Sequence, residues 1–360
     1  MTKKIIFSTG GTGGHIFPAI NLMKHFYQMG HKVLLITDKR GDEFLKKYSE
    51  FNSLILKTST PTNKNFIMKL LSFFLIFYSV IKSILILKRE KPDLIFGFGG
   101  YVSFPVCFAS KFFNIPLVIY ENNVILGRAN KVLSFISKKI LLAKPIQNQP
   151  NKEIEKKTYE VGAILRKDIF EFSNSEKNIM KENIFTVLVL GGSQGADIFG
   201  KIIPSVIKKI SEQGHDIKIY QQCTQSQKNS IIDFYKKNNI KNYVFEFDKD
   251  LIKLILSTNL AITRCGASAT AELAHTLTPF IAVPLINSID NHQYLNAKYY
   301  EKEGFCWTLE ENNFNDENLY NLIIAMIKDK NKLLIVKEKM KEKYGTNTYI
   351  NIENAIKEFL

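Results

Sequence analysis

The sequence predicts an α/β protein built from two Rossmann-like halves in tandem. Three observations carry that expectation. The length of 360 residues suits two domains of ordinary size. Short apolar runs alternate with helical segments along the chain, and a glycine-rich strand-to-helix turn occurs twice, as TGGTGGH at 9–15 and as GGSQGA at 191–196. With 45% hydrophobic and 23% charged residues the chain can bury full cores, which excludes collagen-like, coiled-coil and broadly disordered classes.

The first half begins with Lys3 to Ser8, a short apolar run that reads as a buried strand. After the glycine turn, Pro18-Ala19-Ile20-Asn21-Leu22-Met23 has helical spacing, Gly30 closes the helix, and Lys32 to Thr37 is the next strand, completing a βαβ unit. Strands follow at 93–100, 115–123 and 138–144. The second half restarts at Thr186 to Leu190, which runs through the second glycine turn into an apolar helix ending near Gly214. DIKIYQQ, NYVFEF, LAITR and PFIAVPL are its further strands, the third leading through Cys265-Gly266-Ala267-Ser268 into a helix that carries Glu272. The stretch from 147 to 157, dominated by Asn, Pro and Lys, reads as a loop, and the expected domains are 1–162 and 163–340.

The net charge of +15 implies an anionic partner: nucleic acid, an acidic membrane face or a phosphorylated ligand. No helix-turn-helix, zinc-finger or RNA-recognition pattern is present, and the basic residues lack interleaved aromatics, so no nucleic-acid partner is expected. The four cysteines are widely spaced, without a CxxC pair or a nearby metal-spaced His, which points to reduced thiols and to no metal site. Ile5 to Phe7 is far shorter than a signal-peptide core, so a cytoplasmic protein is expected.

In TGGTGGH, glycines let the backbone approach a ligand closely, and first-turn amides with the helix dipole attract an anion such as a diphosphate. A dinucleotide site is the rival. It wants G-x-G-x-x-G, and Ile16 stands where the third glycine belongs, while Asp38 at the end of the second strand speaks for it. Gly191, Ser193 and Gly195 have G-x-S-x-G spacing, with Asp248 and His292 following in the chain order of a serine hydrolase. That elbow, however, opens a second Rossmann unit, and diphosphate cradling accounts for both loops at once. His15, close to a helix start, is held neutral by the positive dipole end and is a candidate general base. Asp248-Lys249-Asp250 has the DxD form of some metal-dependent sugar-nucleotide enzymes, but its place before Leu251 suits a helix cap.

Residues 63 to 91 are almost continuously apolar, interrupted by Lys69 and Lys82. The uncharged run from Leu70 to Ile81 is 12 residues, short for a span. At 100° per residue Lys64, Lys82 and Arg89 share a stripe beside Ser72, Ser79 and Ser83, with apolar residues elsewhere and a net charge of +5 over 29 residues. An interfacial helix on anionic lipid is expected, with Lys64, Phe66, Lys69, Leu70, Phe73, Phe74, Phe77, Lys82 and Arg89 as its contacts. Core helices of the first domain are the plainer alternative.

GGTGGHIFPA, FGFGGYVSFP, YENN, GGSQGA, RCGASATAEL and DNHQYLNA occur in the order found in the MurG family of peripheral-membrane N-acetylglucosaminyltransferases, glycosyltransferase family 28, which this chain resembles from Gly10 to Ala297. The resemblance implies a GT-B architecture, two Rossmann-like domains facing a cleft, with a terminal helix at 341–360 crossing back to the first. It implies inverting transfer of N-acetylglucosamine from UDP-N-acetylglucosamine to the 4-hydroxyl of the muramyl sugar of lipid I, giving lipid II, without cofactor. The implied setting is the cytoplasmic face of the inner membrane, within a complex of cell-wall synthesis proteins. By resemblance Gly10, Gly11, Gly14, Gly99, Gly100 and Tyr101 meet the acceptor diphosphate. His15 is the base. Thr12, Gly13, Gly14, Asn123, Arg166, Gly192, Ser193, Gln194, Gly195, Phe247, Ala267, Ser268, Ala269, Glu272 and Gln293 bind the donor. YENN stands for the family's HEQN, VGAILR lacks an Asn-Pro pair, and His292 replaces the first Gln of a QQ pair.

Overall fold

A computed structural model describes residues 1–11, 13–46, 50–60, 65–147, 152–167, 169, 184–192, 196–343 and 347–360. The chain forms two compact units, 1–165 together with 346–360, and 166–345.

In the first unit β1 (Lys4–Ser8), β2 (Lys32–Thr37), β3 (Ser53–Ile55), β4 (Leu94–Gly97), β5 (Leu117–Glu121), β6 (Lys139–Leu142) and β7 (Thr158–Glu160) make a parallel sheet in the order β3-β2-β1-β4-β5-β6-β7. The crossovers include helices α1 (Gly13–Gln28), α2 (Lys39–Leu45), α3 (Phe66–Glu90), α4 (Ser103–Ala109), α5 (Arg128–Leu133) and α6 (Lys152–Glu155). A parallel sheet is covered on both faces, so its central strands are apolar at every position rather than at alternate ones. Ile5, Ile6 and Phe7 of β1 are accordingly fully buried, as are Leu94, Ile95 and Phe96 of β4. The Phe7 ring stacks on Phe96 with centroids 5.4 Å apart, and Phe98 lies 5.6 Å from Tyr120, so aromatic contacts tie β1, β4 and β5 together.

The second unit holds β8 (Phe185–Leu190), α7 (Asp197–Glu212), β9 (Ile217–Gln222), α8 (Gln225–Lys237), β10 (Lys241–Phe245), α9 (Leu251–Leu256), β11 (Leu260–Thr263), α10 (Ala267–His275), β12 (Phe280–Ala282), α11 (His292–Lys302), β13 (Cys306–Thr308), α12 (Asp316–Lys328) and α13 (Asn331–Lys343). Its strand order, β10-β9-β8-β11-β12-β13, repeats the 3-2-1-4-5-6 pattern of the first unit. Phe199, Ile203, Val206, Ile207 and Ile210 line the buried stripe of α7 at helical spacing. In both sheets the order reverses direction beside the first strand, between β1 and β4 and between β8 and β11, which is where ligands bind in doubly wound folds.

The strands expected from the sequence are all present, with ends within three residues of those expected. β3, β7 and β13 were not expected: each has three residues and lies at a sheet edge, too short for a periodic signal. The domain limits also differ. The first unit extends to 165, because Tyr120 Oη accepts the Ile164 N–H at 3.0 Å and Tyr349 Oη donates to the Leu165 carbonyl at 2.6 Å. The single terminal helix expected at 341–360 is instead the end of α13, in the second unit, followed by α14 (Thr348–Ile356), in the first. Here α14 docks on α1 through His25 Nε2 and Glu353 Oε1 at 2.7 Å, and Asn351 Nδ2 donates to the Val161 carbonyl.

Tyr349→Phe removes the buried hydroxyl that holds the Leu165 carbonyl, so urea unfolding should show the first unit destabilised by about 1 kcal/mol; an unchanged midpoint would show that this bond does not anchor the C-terminal segment.

Candidate active site

In the first unit the loops after β1 and β4 flank the switch point, and they touch. Gly100 has φ +78°, and a Cβ there would lie 2.2 Å from the Gly10 carbonyl oxygen; a Cβ on Gly10 would lie 2.4 Å from Val102 Cγ2. Only glycine permits this approach. Asp38, at the end of β2, ties the loops further. Its Oδ2 accepts the Gly11 N–H at 2.9 Å and the Tyr101 hydroxyl at 2.6 Å, while Oδ1 accepts the Gly41 N–H at 2.9 Å as the N-cap of α2. Burial and the adjacent Asp38 carboxylate push Tyr101 up to about 12. With both carboxylate oxygens engaged, and buried Ile16 where a third glycine would stand, the dinucleotide alternative loses its one supporting residue.

His15, half-buried in the first turn of α1, lies against Gly99: a Cβ on Gly99 would be 3.4 Å from His15 Nδ1 and 3.4 Å from Asn130 Nδ2. Asn130 in turn belongs to a buried cluster organised by Glu121, the last residue of β5. Glu121 Oε1 accepts from the backbone and side chain of Asn123, and Oε2 accepts from the Gly127 N–H and from Asn130 Nδ2, all at 2.9–3.0 Å. A buried carboxylate surrounded by four donors has its charge satisfied locally and fixes the loop that carries Asn123. Gly10, Gly11, Gly13, Gly14, His15, Gly99, Gly100 and Tyr101 therefore gather at one end of the sheet, with Asn123 on the next loop, while Thr12 lies outside the described residues. Sequence reasoning missed Glu121 and Asn130; the YENN motif carries Glu121 without revealing what it binds.

In the second unit the loops after β8 and β11 flank the corresponding switch point. Gly192 has φ +80°. Ser193, Gln194 and Gly195 lie outside the described residues. Ala267, Ser268, Ala269 and Glu272 sit in the first turns of α10, and Gly266, its N-cap, has open space where a side chain would be. Gln293 Oε1 accepts the N–H groups of Cys265 and Leu285 at 3.2 and 3.0 Å, and Asn296 Nδ2 donates to the Cys265 carbonyl, so α11 clamps the loop before α10. Arg264 is buried, pairs with Glu311 at 2.8 Å, donates to the Val283 carbonyl and stacks over Phe199 of α7, linking three neighbouring elements. Phe247 is exposed beyond β10, and Arg166 opens the second unit. Asp250 stands at the N-cap position of α9, in keeping with the helix-start expectation, but its side chain makes no cap bond and pairs with Lys253 instead, while Asp248 accepts the Asp250 N–H and the Tyr243 hydroxyl. Asp248 follows β10 and His292 follows β12, four strands apart, about 19 Å at ordinary strand spacing, so no hydrolase triad forms. Among the described residues no group of three or more His, Cys, Asp or Glu side chains could hold a metal ion.

Helix α3 inverts the usual surface pattern. Its buried stripe is Ser72, Ser79, Ser83 and Leu87, with Ser72 and Ser79 hydrogen-bonded to the carbonyls of Thr60 and Lys57. Phe66, Leu70, Phe73, Phe74 and Phe77 point outward, Phe66 and Phe74 each more than 70% exposed, with Lys69 and Lys82 among them. Arg89 is ion-paired with Glu90, and Lys64 lies outside the described residues.

Residues 5–142 match the glycosyltransferase family 28 N-terminal domain, and residues 186–353 match the C-terminal domain of the same family. The chain is 36% identical to a UDP-N-acetylglucosamine–N-acetylmuramyl-(pentapeptide) pyrophosphoryl-undecaprenol N-acetylglucosamine transferase of Pelagibacter ubique, over 99% of this chain and 98% of that one. It is 35% identical to the enzyme of the same name from Rickettsia felis, over 90% and 91%. The crystal structure of Acinetobacter baumannii MurG superposes with a TM-score of 0.80 at 24% identity, covering 99% of each chain, which establishes a shared fold.

The raised Tyr101 hydroxyl has a stability consequence. Below its ordinary value of 10.0 the proton is held in folded and unfolded chains alike and the contribution is fully present; between there and about 12 only the folded chain keeps it, so the contribution is lost as pH rises. The gap in unfolding free energy between wild type and Tyr101→Phe should narrow over that interval in urea titrations, and a gap independent of pH would contradict the assignment.

Proposed function

The chain belongs to glycosyltransferase family 28, and from that membership we propose that it transfers N-acetylglucosamine from UDP-N-acetylglucosamine to the muramyl sugar of undecaprenyl-pyrophosphoryl-N-acetylmuramyl-pentapeptide, forming lipid II. The observation that carries this reading is the doubled switch point: each unit presents a glycine loop and a helix N-terminus at the same place in the same strand order, and the reaction has two diphosphate-bearing substrates. The donor reading rests on Gly192, Ala267, Ser268, Ala269 and Glu272 in the second unit, with Phe247 toward the base; the acceptor reading rests on Gly10, Gly11, Gly14 and Gly99 to Tyr101 in the first.

In the mechanism, the acceptor 4-hydroxyl attacks the anomeric carbon from the face opposite UDP and inverts it through an oxocarbenium-like state. His15 takes the hydroxyl proton, its ring lying against the bare α-carbon of Gly99. UDP departs as a stable anion, so it needs charge stabilisation rather than protonation, and oriented amides supply it at up to about 3 kcal/mol per donor. His15→Ala should lower kcat by about 100-fold or more at saturating substrates while UDP binding is retained; near wild-type turnover would remove His15 from the reaction.

The same reading places the first unit on the cytoplasmic leaflet, where the lipid-linked acceptor resides. α3 has 25 residues, about 37 Å, enough to span a bilayer by length. Its serine stripe, however, is hydrogen-bonded to residues 57–60 of the same unit, and withdrawing it into hydrocarbon would strand those carbonyls. Lying flat, it buries its outward aromatic side while Lys69 and Lys82 meet anionic headgroups. The exposed Phe112, Phe113 and Phe135, with Lys111 and Lys131, extend the apolar and basic surface within this unit. Replacing Phe74 and Phe77 by Ser and Lys69 and Lys82 by Glu should abolish sedimentation with anionic liposomes and leave UDP binding intact; undiminished sedimentation would refute the docking.

A further inference from the structure

The acceptor loop has an electrostatic difficulty that the proposed reading leaves unsolved. Gly11 N–H, which such a loop would ordinarily offer to a phosphate, is already donated to Asp38 Oδ2. A carboxylate thus stands directly behind the loop, and a diphosphate arriving there meets a like charge. Tyr101 and Gly41 disperse that charge through hydrogen bonds but do not cancel it.

Arg40 supplies the missing cation. It lies two residues after Asp38, in the first turn of α2, is exposed, and donates from Nη1 to the Gly11 carbonyl at 3.3 Å. A neutral carbonyl at that distance is a weak partner for a guanidinium, and none of the ion pairs among the described residues includes Arg40. The single bond nonetheless orients the group: it sets the guanidinium at the carbonyl of Gly11, the same residue whose N–H is tied to Asp38. Its charge also acts on the Tyr101 hydroxyl, opposing the effect of Asp38, which places it within electrostatic reach of both clasped loops. Four further N–H donors in a planar fork remain for an incoming ligand, a geometry suited to two oxygens of one phosphate.

We propose that Arg40 binds the diphosphate of the lipid-linked acceptor, adding a cation at the loop that leads into the first-turn amides of Gly13 and Gly14. The inference rests on the acceptor reading above and adds to it a side-chain ligand outside every glycine motif. Asp38 then has a definite part: by holding Gly11 N–H and Tyr101 it shapes the loop whose carbonyl orients Arg40.

Steady-state kinetics of the full-length chain with UDP-N-acetylglucosamine and a short-prenyl pyrophosphoryl-muramyl peptide test this. For Arg40→Ala the acceptor KM should rise tenfold or more, as expected for loss of a charge-assisted contact, while the KM for UDP-N-acetylglucosamine and the thermal shift given by UDP stay at wild-type values. Arg40→Lys, which keeps the charge and loses the fork, should fall between. An acceptor KM within twofold of wild type in Arg40→Ala overturns the assignment, as does a parallel rise in both KM values, which would mark a structural role. Wild-type enzyme that transfers nothing to this acceptor would overturn the acceptor reading itself, a result distinct from an active wild type with an indifferent Arg40.

Discussion

The contact on which the first unit's site depends is the approach of Gly100 to the Gly10 carbonyl, close enough that a methyl group could not be inserted. Two loops from adjacent strands at the switch point become one surface through it. The rest of the site is referred to that surface: Asp38 clasps Gly11 and Tyr101 across it, and Gly99 offers its bare α-carbon to the His15 ring. A side chain at Gly10 or Gly100 would separate loops that the proposed chemistry needs together.

The two units share a strand order but stabilise their loops differently. In the first, carboxylates collect N–H and O–H groups: Asp38 at the end of β2 gathers donors from two loops that would otherwise be independent, and Glu121 at the end of β5 gathers those of the one segment that follows it. In the second, neutral amides do this work, Gln293 and Asn296 of α11 holding the peptide groups on either side of Cys265, while Arg264 is turned away into an ion pair with Glu311. Preorganised loops present oriented dipoles without rearrangement during the reaction, which is the source of their electrostatic value.

The serine stripe of α3 reconciles an apolar composition with a folded unit. Small hydroxyls at positions 72 and 79 let the helix sit close to residues 57–60 and hydrogen-bond to them, while Ser83 donates to the Ser79 carbonyl of its own helix, so the large apolar side chains are left on the outside. Angular arithmetic placed the serines beside the basic stripe, but the direction in which that stripe faced depended on what lay beneath it.

Much of this architecture is local information. The apolar runs of β1, β2, β4, β5, β8 and β11, the two glycine turns and the ordered motifs are contiguous stretches, and hydrophobic period and backbone permissiveness act over a few residues, so the sequence alone determined the paired Rossmann-like halves and the place of their loops. Edge strands of three residues and the division between α13 and α14 carried no such signal. Side-chain partnerships belonged wholly to the tertiary structure: Asp38 meets Tyr101 across 63 positions, and Tyr349 meets Leu165 across 184. Arg40 sits in no motif and acquires its place only because the chain brings the Gly11 carbonyl to it. Hydrogen bonds over such separations follow from strand order and packing, and no window of sequence contains both partners.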